Sequence, residues 1–427
     1  MRLILLTYTG ILFVSLSCNT STALFSGKSP HERYAEKISD AGLKGTALGK
    51  KWFAAAETAF EKAAAISLPY RVAGYFPADK PAAFAFKFKP ARGEKLIFQL
   101  TKRSVQNFEI FFDLWQLNSA TDPKYLRSMD TTMSIFEFEV FSEDSLLLRL
   151  QPELLSSGEY TLAISTAPSL AFPVAKSGAR IASFWGASRD AGARTHEGID
   201  IFAPRGTPAV AAANGYIGSV TVNNLGGKVV FMKPDGKDYS LYYAHLDTQL
   251  VKTGQRVKSG DTIGTIGNTG NARTTPPHLH FGIYTSGGAI NPLPFVDPGI
   301  KTPKLFTVES GLFTQPAVLS TSVEVSEKNY SKGTPVSVVA ASTTYFTVVF
   351  PDGVVATPPR SAIKDATVTL AHLKAEQYIY EIPDTTAPRI LQLDGNRPVQ
   401  KMGSFNNFVL VRVGDTLMGW TPSAGLR

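Results

Sequence analysis

From Tyr70 to Ser165 apolar residues recur at every second position, and that period commits this long stretch to β-structure. Phe84, Phe86 and Phe88 alternate with small or basic residues, and Leu96, Phe98, Leu100 and Leu146, Leu148, Leu150 repeat the pattern. Successive side chains of a strand point to opposite faces, so such runs bury one face each. The segment before Pro69 differs. Trp52, Ala55, Ala56, Ala59, Phe60 and Ala63 recur at helical spacing, in an alanine- and lysine-rich stretch with few β-branched residues. A chain of 427 residues exceeds what one core holds. The expectation is a mainly β, multidomain protein.

Composition shifts suggest the boundaries. A helical segment covers residues 25–69 and a β-sandwich covers 70–168, closing on the turn and strand Ser157-Gly158-Glu159-Tyr160-Thr161-Leu162. Residues 179–300 combine many glycines with short β-runs such as Lys228-Val229-Val230-Phe231-Met232, which reads as antiparallel sheet. Two further β-modules are expected at 305–370 and 371–427. In each an apolar strand, Tyr345 to Phe350 and Phe408 to Val413, runs into an Asp-Gly or Gly-Asp turn and a returning strand.

Four of the six histidines fall within the third segment. His196 and Asp200 sit in His196-Glu197-Gly198-Ile199-Asp200, His245 ends Tyr242-Tyr243-Ala244-His245, and His278 and His280 flank Leu279. Both close pairs are evenly spaced, so each shares a face if extended. Gly198 and Pro204 disfavour a helix there. Two imidazoles and a carboxylate make a zinc site with an open position. Such a site activates water and polarises a carbonyl, the two effects that amide hydrolysis needs. Period two sends Glu197 to the opposite face from His196 and Asp200. Arg189 and Arg194 are open to two roles, a substrate carboxylate or an ion pair within the domain.

Several separated strings then agree in order with one family. Phe184-Trp185-Gly186 through His196-Glu197-Gly198-Ile199-Asp200, Ala203-Pro204-Arg205-Gly206-Thr207-Pro208, Tyr243-Ala244-His245-Leu246, Gly254 to Gly260 and His278-Leu279-His280-Phe281 together resemble the lysostaphin-type zinc metallopeptidases, which cleave bacterial cell-wall peptides. The resemblance covers roughly residues 180 to 296. It implies an antiparallel sheet with zinc in a groove, His196, Asp200 and His280 as metal ligands, and His245 and His278 as catalytic histidines. Two positions depart from the pattern: Thr275-Pro276-Pro277 stands where Thr-Gly-Pro is usual, and Gly282 where an acidic residue often follows Phe281. An altered groove shape is the expected consequence. The 70–168 segment resembles the pre-peptidase β-sandwiches found beside secreted peptidases, although a plain all-β spacer fits as well. The pair Gly419-Trp420 ahead of Leu426 resembles the end of a bacterial SH3-like barrel. The 305–370 module matches less well, since Ala356-Thr357 replaces Gly-Trp.

The single cysteine, Cys18, follows a short apolar stretch from Leu3 to Leu16 with Arg2 ahead of it. That reads as a secretory signal. Val14-Ser15-Leu16-Ser17-Cys18 resembles a lipoprotein cleavage box, which makes residues 1–18 the signal and Cys18 the lipidated residue. An ordinary signal cut after Ala23 is the alternative. The expected location is the cell envelope, with the chain anchored to a membrane by lipid. The formal charge of +8 suits an acidic partner such as wall polymer. Nucleic acid is not expected, for lack of a dense Lys/Arg run. The functional expectation is a zinc (Zn2+) endopeptidase of peptidoglycan. The rival is a non-catalytic, wall-binding regulator or scaffold of other wall hydrolases.

Overall fold

Ser29 opens the first helix, α1 (Pro30–Asp40): its Oγ accepts from the Glu32 amide at 3.1 Å, and the Glu32 carboxylate accepts from the Ser29 amide at 2.7 Å. This reciprocal cap satisfies two otherwise orphaned donors. Helix α2 (Ala47–Glu61) starts at Thr46, whose hydroxyl accepts from Gly49. Of the residues at helical spacing, Trp52, Ala56 and Ala59 are buried, whereas Ala63 lies beyond the helix end. The next residues, Ala64–Ala65, extend instead beside Phe86 and Lys87. These coordinates, a computed structural model, describe residues 27–427 except 105–107, 118–122, 176–177, 190–191, 310 and 416. The signal segment 1–18 and Cys18 lie outside the described residues. No helix among the described residues is long and apolar enough to cross a membrane.

The two helices cover one face of a five-stranded sheet, ordered Ala64–Ala65, Phe84–Phe88, Ser145–Pro152, Ile110–Leu117, Pro123–Met129. Trp52 packs on Ile38 and Phe111, and its indole nitrogen donates to the Pro152 carbonyl at 2.8 Å. The other face meets a nine-stranded sheet, and Phe86, Phe98, Phe112, Leu148 and Leu162 fill the space between them. The mainly β, multi-sheet class expected from the sequence is therefore the observed one.

The nine-stranded sheet joins distant parts of the chain. Strand Pro335–Ser342 pairs with Tyr70–Phe76, and Ala340 enters the sandwich core. Hydrogen bonding thus crosses from the 70–168 segment into the 305–370 segment. A second junction follows: Tyr330, Phe350, Tyr380, Phe405 and Trp420 share one core across residue 370, with Tyr330 stacked on Phe350 at 3.7 Å. Residues after 368 form a six-stranded sheet of their own, from Thr369–His372 to Leu417–Pro422.

Between these regions lies a ten-stranded sheet built within residues 180–290. Its main path runs Arg180–Ser183, Ile199–Phe202, His278–Thr285, Ser240–Gln249, Gly227–Pro234, Gly215–Asn223, Arg256–Val257. Ile199, Ile201, Leu241, Tyr243, Leu279, Phe281 and Ile283 bury one face. The opposite face carries the polar groups considered below. The domain touches the sandwich through Lys237, paired with Glu139, and through Phe295, which occupies the space a side chain on Gly93 would need.

His31 is a packing residue. It stacks on Trp52 at 4.8 Å, and its Nε2 donates to the Gln151 side-chain oxygen at 2.7 Å. Burial, followed by the positive charge of Arg149, pushes its pKa from 6.5 down to about 4. Above pH 6.5 both folded and unfolded chains carry a neutral imidazole. As pH falls towards 4 the unfolded chain takes up the proton first, so stability is lost. The loss attributable to His31 should reach roughly 3 kcal/mol at the acid end of that window. Urea unfolding followed by tryptophan fluorescence should show a steeper acid decline for the wild type than for His31→Phe; parallel declines would contradict this account.

Candidate metal centre and its groove

The site is assembled by strand register. In the antiparallel pair of Ile199–Phe202 with His278–Thr285, Asp200 stands opposite His280 and Phe202 opposite His278. Period two then puts Asp200, His278 and His280 on the face away from the core. His196 arrives from the preceding turn, where its amide donates to the Ala187 carbonyl at 2.8 Å and its carbonyl accepts from Gly186 at 2.9 Å. Gly198 makes the approach possible. A Cβ there would lie 2.7 Å from Cε1 and Nε2 of His280 and 2.6 Å from the Phe281 carbonyl.

Three atoms converge as a result. His196 Nε2, Asp200 Oδ1 and His280 Nδ1 lie 3.0 Å from one another. His196 Nδ1 sits 2.9 Å from the Phe184 carbonyl oxygen, which can only accept. The proton of a neutral ring is therefore on Nδ1, and Nε2 presents a lone pair to the Asp200 oxygen. Two lone pairs at that distance repel unless a cation lies between them. Tetrahedral zinc holds its nitrogen and oxygen ligands about 3.3 Å apart, so this donor set fits zinc in kind and spacing. Arg189 completes the arrangement by donating to Asp200 Oδ2 at 2.9 Å and to the Ser183 hydroxyl at 2.5 Å. The ion pair engages one carboxylate oxygen and leaves the other to face the histidines. Of the two roles open to Arg189, the structure shows the ion pair.

Electrostatics agree with this geometry. Burial alone would raise the Asp200 pKa; with no cation in place, only a proton taken up between the carboxylate and the His196 and His280 rings relieves the repulsion, and that contact holds the Asp200 carboxyl well below the usual carboxylate range. The His280 imidazole is lowered, mainly by burial.

His245 reaches the site by a device that alternation does not foresee. Along Ser240–Gln249, Leu241 and Tyr243 face the core while Tyr242 and Ala244 face the groove. Simple alternation would send His245 inward. Instead Lys228 pairs with Leu246 and Val230 with Tyr243, so Ala244 and His245 together oppose Val229. This bulge has His245 at φ 61°, in the left-handed region, and it re-aims the ring into the groove. Such a backbone costs about 1–3 kcal/mol at a residue other than glycine. Hydrogen bonds secure it: the His245 amide donates to the Gly226 carbonyl at 2.7 Å and Nδ1 donates to the Thr269 carbonyl at 2.8 Å. His278 Nδ1 likewise donates to the Pro276 carbonyl at 2.9 Å. A proline retains its carbonyl, so the departure at Pro276 leaves this bond intact. Both rings thus present an unprotonated Nε2. Burial, then the neighbouring His278 and His280, lower His245 to about 4, so it is neutral near pH 7.

The four histidines line an open groove of about 920 Å³. Every described residue lining it falls between 183 and 284, so no described part of the sandwich or of the C-terminal region covers it. Among the groove residues not expected from the sequence, three bear on its chemistry. Glu197 lines the groove, contrary to the face assigned to it, because it lies in the irregular link before Ile199–Phe202, where period two does not yet apply. Tyr284 is four residues beyond His280 on one strand, an even spacing that places it on the same face. Tyr242 precedes Ala244 by two and follows the same rule. The second departure, Gly282, has a steric reason: a Cβ there would stand 3.0 Å from the Tyr284 ring and 3.3 Å from the Glu197 carbonyl.

Comparison with known proteins agrees with the geometry. Residues 194–292 match the model of peptidase family M23. This segment is a peptidase family M23 domain. Over 99 residues it is 43% identical to the peptidoglycan DD-endopeptidase ShyC of Vibrio cholerae, an alignment covering 23% of this chain and 22% of ShyC. The uncharacterized lipoprotein YgeR of Escherichia coli is 42% identical over 109 residues, 26% of this chain and 42% of YgeR. The murein hydrolase activator NlpD of the same organism is 38% identical over 104 residues, 24% of this chain and 26% of NlpD. The chain therefore spans from about a fifth to about two fifths of the length of these relatives.

The supports of the M23 site should be as necessary as its ligands. Arg189→Ala frees Asp200 Oδ2 and should weaken zinc affinity about 10- to 100-fold. Gly198→Ala should weaken it at least as much by displacing the His280 ring. Competition with a chromogenic chelator measures both, and unchanged affinity in either variant would contradict the role given to that residue.

Proposed function

We propose that this chain is a zinc-dependent endopeptidase that hydrolyses amide bonds in peptidoglycan stem peptides or crosslinks. The single observation that carries the reading is the triangle of His196 Nε2, Asp200 Oδ1 and His280 Nδ1, open to a groove that two further histidines share. Similarity to ShyC, a peptidoglycan DD-endopeptidase, supports the substrate class.

Zinc held by His196, Asp200 and His280 would supply a Lewis acid for the scissile carbonyl and lower the pKa of water. The remaining work falls to the chain. His278 Nε2 lies 4.0 Å from Asp200 Oδ1, and the His245 and His278 rings are 5.0 Å apart. With both Nδ1 protons committed to backbone carbonyls, each Nε2 is a base aimed at the reacting centre. One accepts the proton of the attacking water and the pair returns it to the leaving amine. A protonated ring also stabilises the oxyanion of the tetrahedral intermediate.

The name of NlpD, an activator, motivates the alternative of a regulator without chemistry of its own. One experiment separates the two. Purified protein incubated with peptidoglycan should release peptide fragments in a chelator-sensitive manner. His280→Ala should lose zinc and activity, whereas His278→Ala should keep its zinc and lose turnover by at least about 100-fold. Full activity in His278→Ala would remove that residue from the mechanism. A wild type that binds zinc but releases nothing would favour the regulator.

The envelope reading rests on Cys18 and on the lipoprotein YgeR. Membrane fractionation of cells expressing Cys18→Ser should find the protein released. Unchanged sedimentation with membranes would favour an ordinary secretory signal.

A further inference from the structure

We infer that Glu197, Tyr242 and Tyr284 form a subsite that recognises a primary ammonium on the substrate peptide, beside the bond that is cut. The inference rests on the hydrolase reading above and adds the chemistry that selects the substrate.

Glu197 is the groove's uncommitted carboxylate. Asp200 is engaged by Arg189, His196 and His280. Glu197 is exposed, lines the groove and accepts a hydrogen bond from the Tyr284 hydroxyl at 3.3 Å. Among the described residues no cation pairs with it. The tyrosine rings stand edge to face at 5.7 Å, and Tyr242 lies 5.9 Å from the His280 ring, which places the subsite next to the metal ligands. Gly282, without a side chain between Tyr284 and Glu197, keeps the space clear.

A carboxylate in contact with one aromatic ring, Tyr284, which packs edge to face on a second, Tyr242, attracts a cation and disfavours an anion. Tyr284 cannot offer a competing charge, because burial and the nearby Glu197 push its pKa up to about 12. The ligand is therefore an ammonium on the peptide, either a free N-terminal amine or the side-chain amine of a diamino acid. Acetylating each amine in turn distinguishes these sources.

The test is calorimetric binding of a synthetic stem peptide containing lysine to the full zinc-loaded chain. The same peptide is also used acetylated at the side chain and, separately, at the N-terminus. One of the two acetylations should weaken binding to the wild type about tenfold. In Glu197→Gln, whose zinc content should be unchanged, that difference should shrink to less than about twofold. Equal binding of all three peptides to the wild type would overturn the proposal, as would full discrimination retained in Glu197→Gln. Cleavage in the same samples reports separately on the reaction. Discrimination without cleavage would sink the hydrolase reading and leave the ammonium subsite standing.

Discussion

Mutual repulsion between lone pairs governs this structure's chemistry. The His196 ring has committed its Nδ1 proton to the Phe184 carbonyl, so its other nitrogen faces the Asp200 carboxylate with no hydrogen to share. Two electron-rich atoms buried at 3.0 Å are a liability without a cation and a strong ligand set with one. Much of the surrounding architecture serves that arrangement. Register between two central strands brings Asp200 to His280, Arg189 restrains the carboxylate, and the bare backbone at Gly198 leaves room for the ring.

The second histidine pair uses the same principle with a different outcome. His245 and His278 each give Nδ1 to a backbone carbonyl, which fixes ring orientation and tautomer together. The backbone at His245 is strained, and hydrogen bonds at its amide and ring hold it there. Local strain sustained by surrounding contacts is common where a side chain must point against its strand's alternation.

The domains around the groove are knitted together more closely than a linear order suggests. A strand from after the metal domain pairs with the strand that follows the helices, and Trp420 shares a core with Tyr330. The groove nevertheless stays clear of these neighbours, since its described lining comes from residues 183 to 284. The sandwich meets the M23 domain away from the groove, through contacts such as Lys237 with Glu139.

Period-two spacing alone revealed the β-class and the shared faces of His196 with Asp200 and of His278 with His280; the same even step also carries Tyr284 into the groove, but nothing in the sequence singled that residue out. Residue chemistry pointed to a site of two imidazoles and a carboxylate, and the family resemblance picked His196, Asp200 and His280 from the candidates. Three features required the folded chain. Glu197 reaches the groove because it stands in an irregular link between strands, and alternation has no meaning there. His245 reaches it because one extra residue in a bulge reverses its face, and a bulge depends on the partner strand. The pairing of Pro335–Ser342 with Tyr70–Phe76 joins residues more than two hundred and fifty apart. Such contacts follow from which sheet edge is free and which apolar faces fit, and neither is written in the local spacing of the chain.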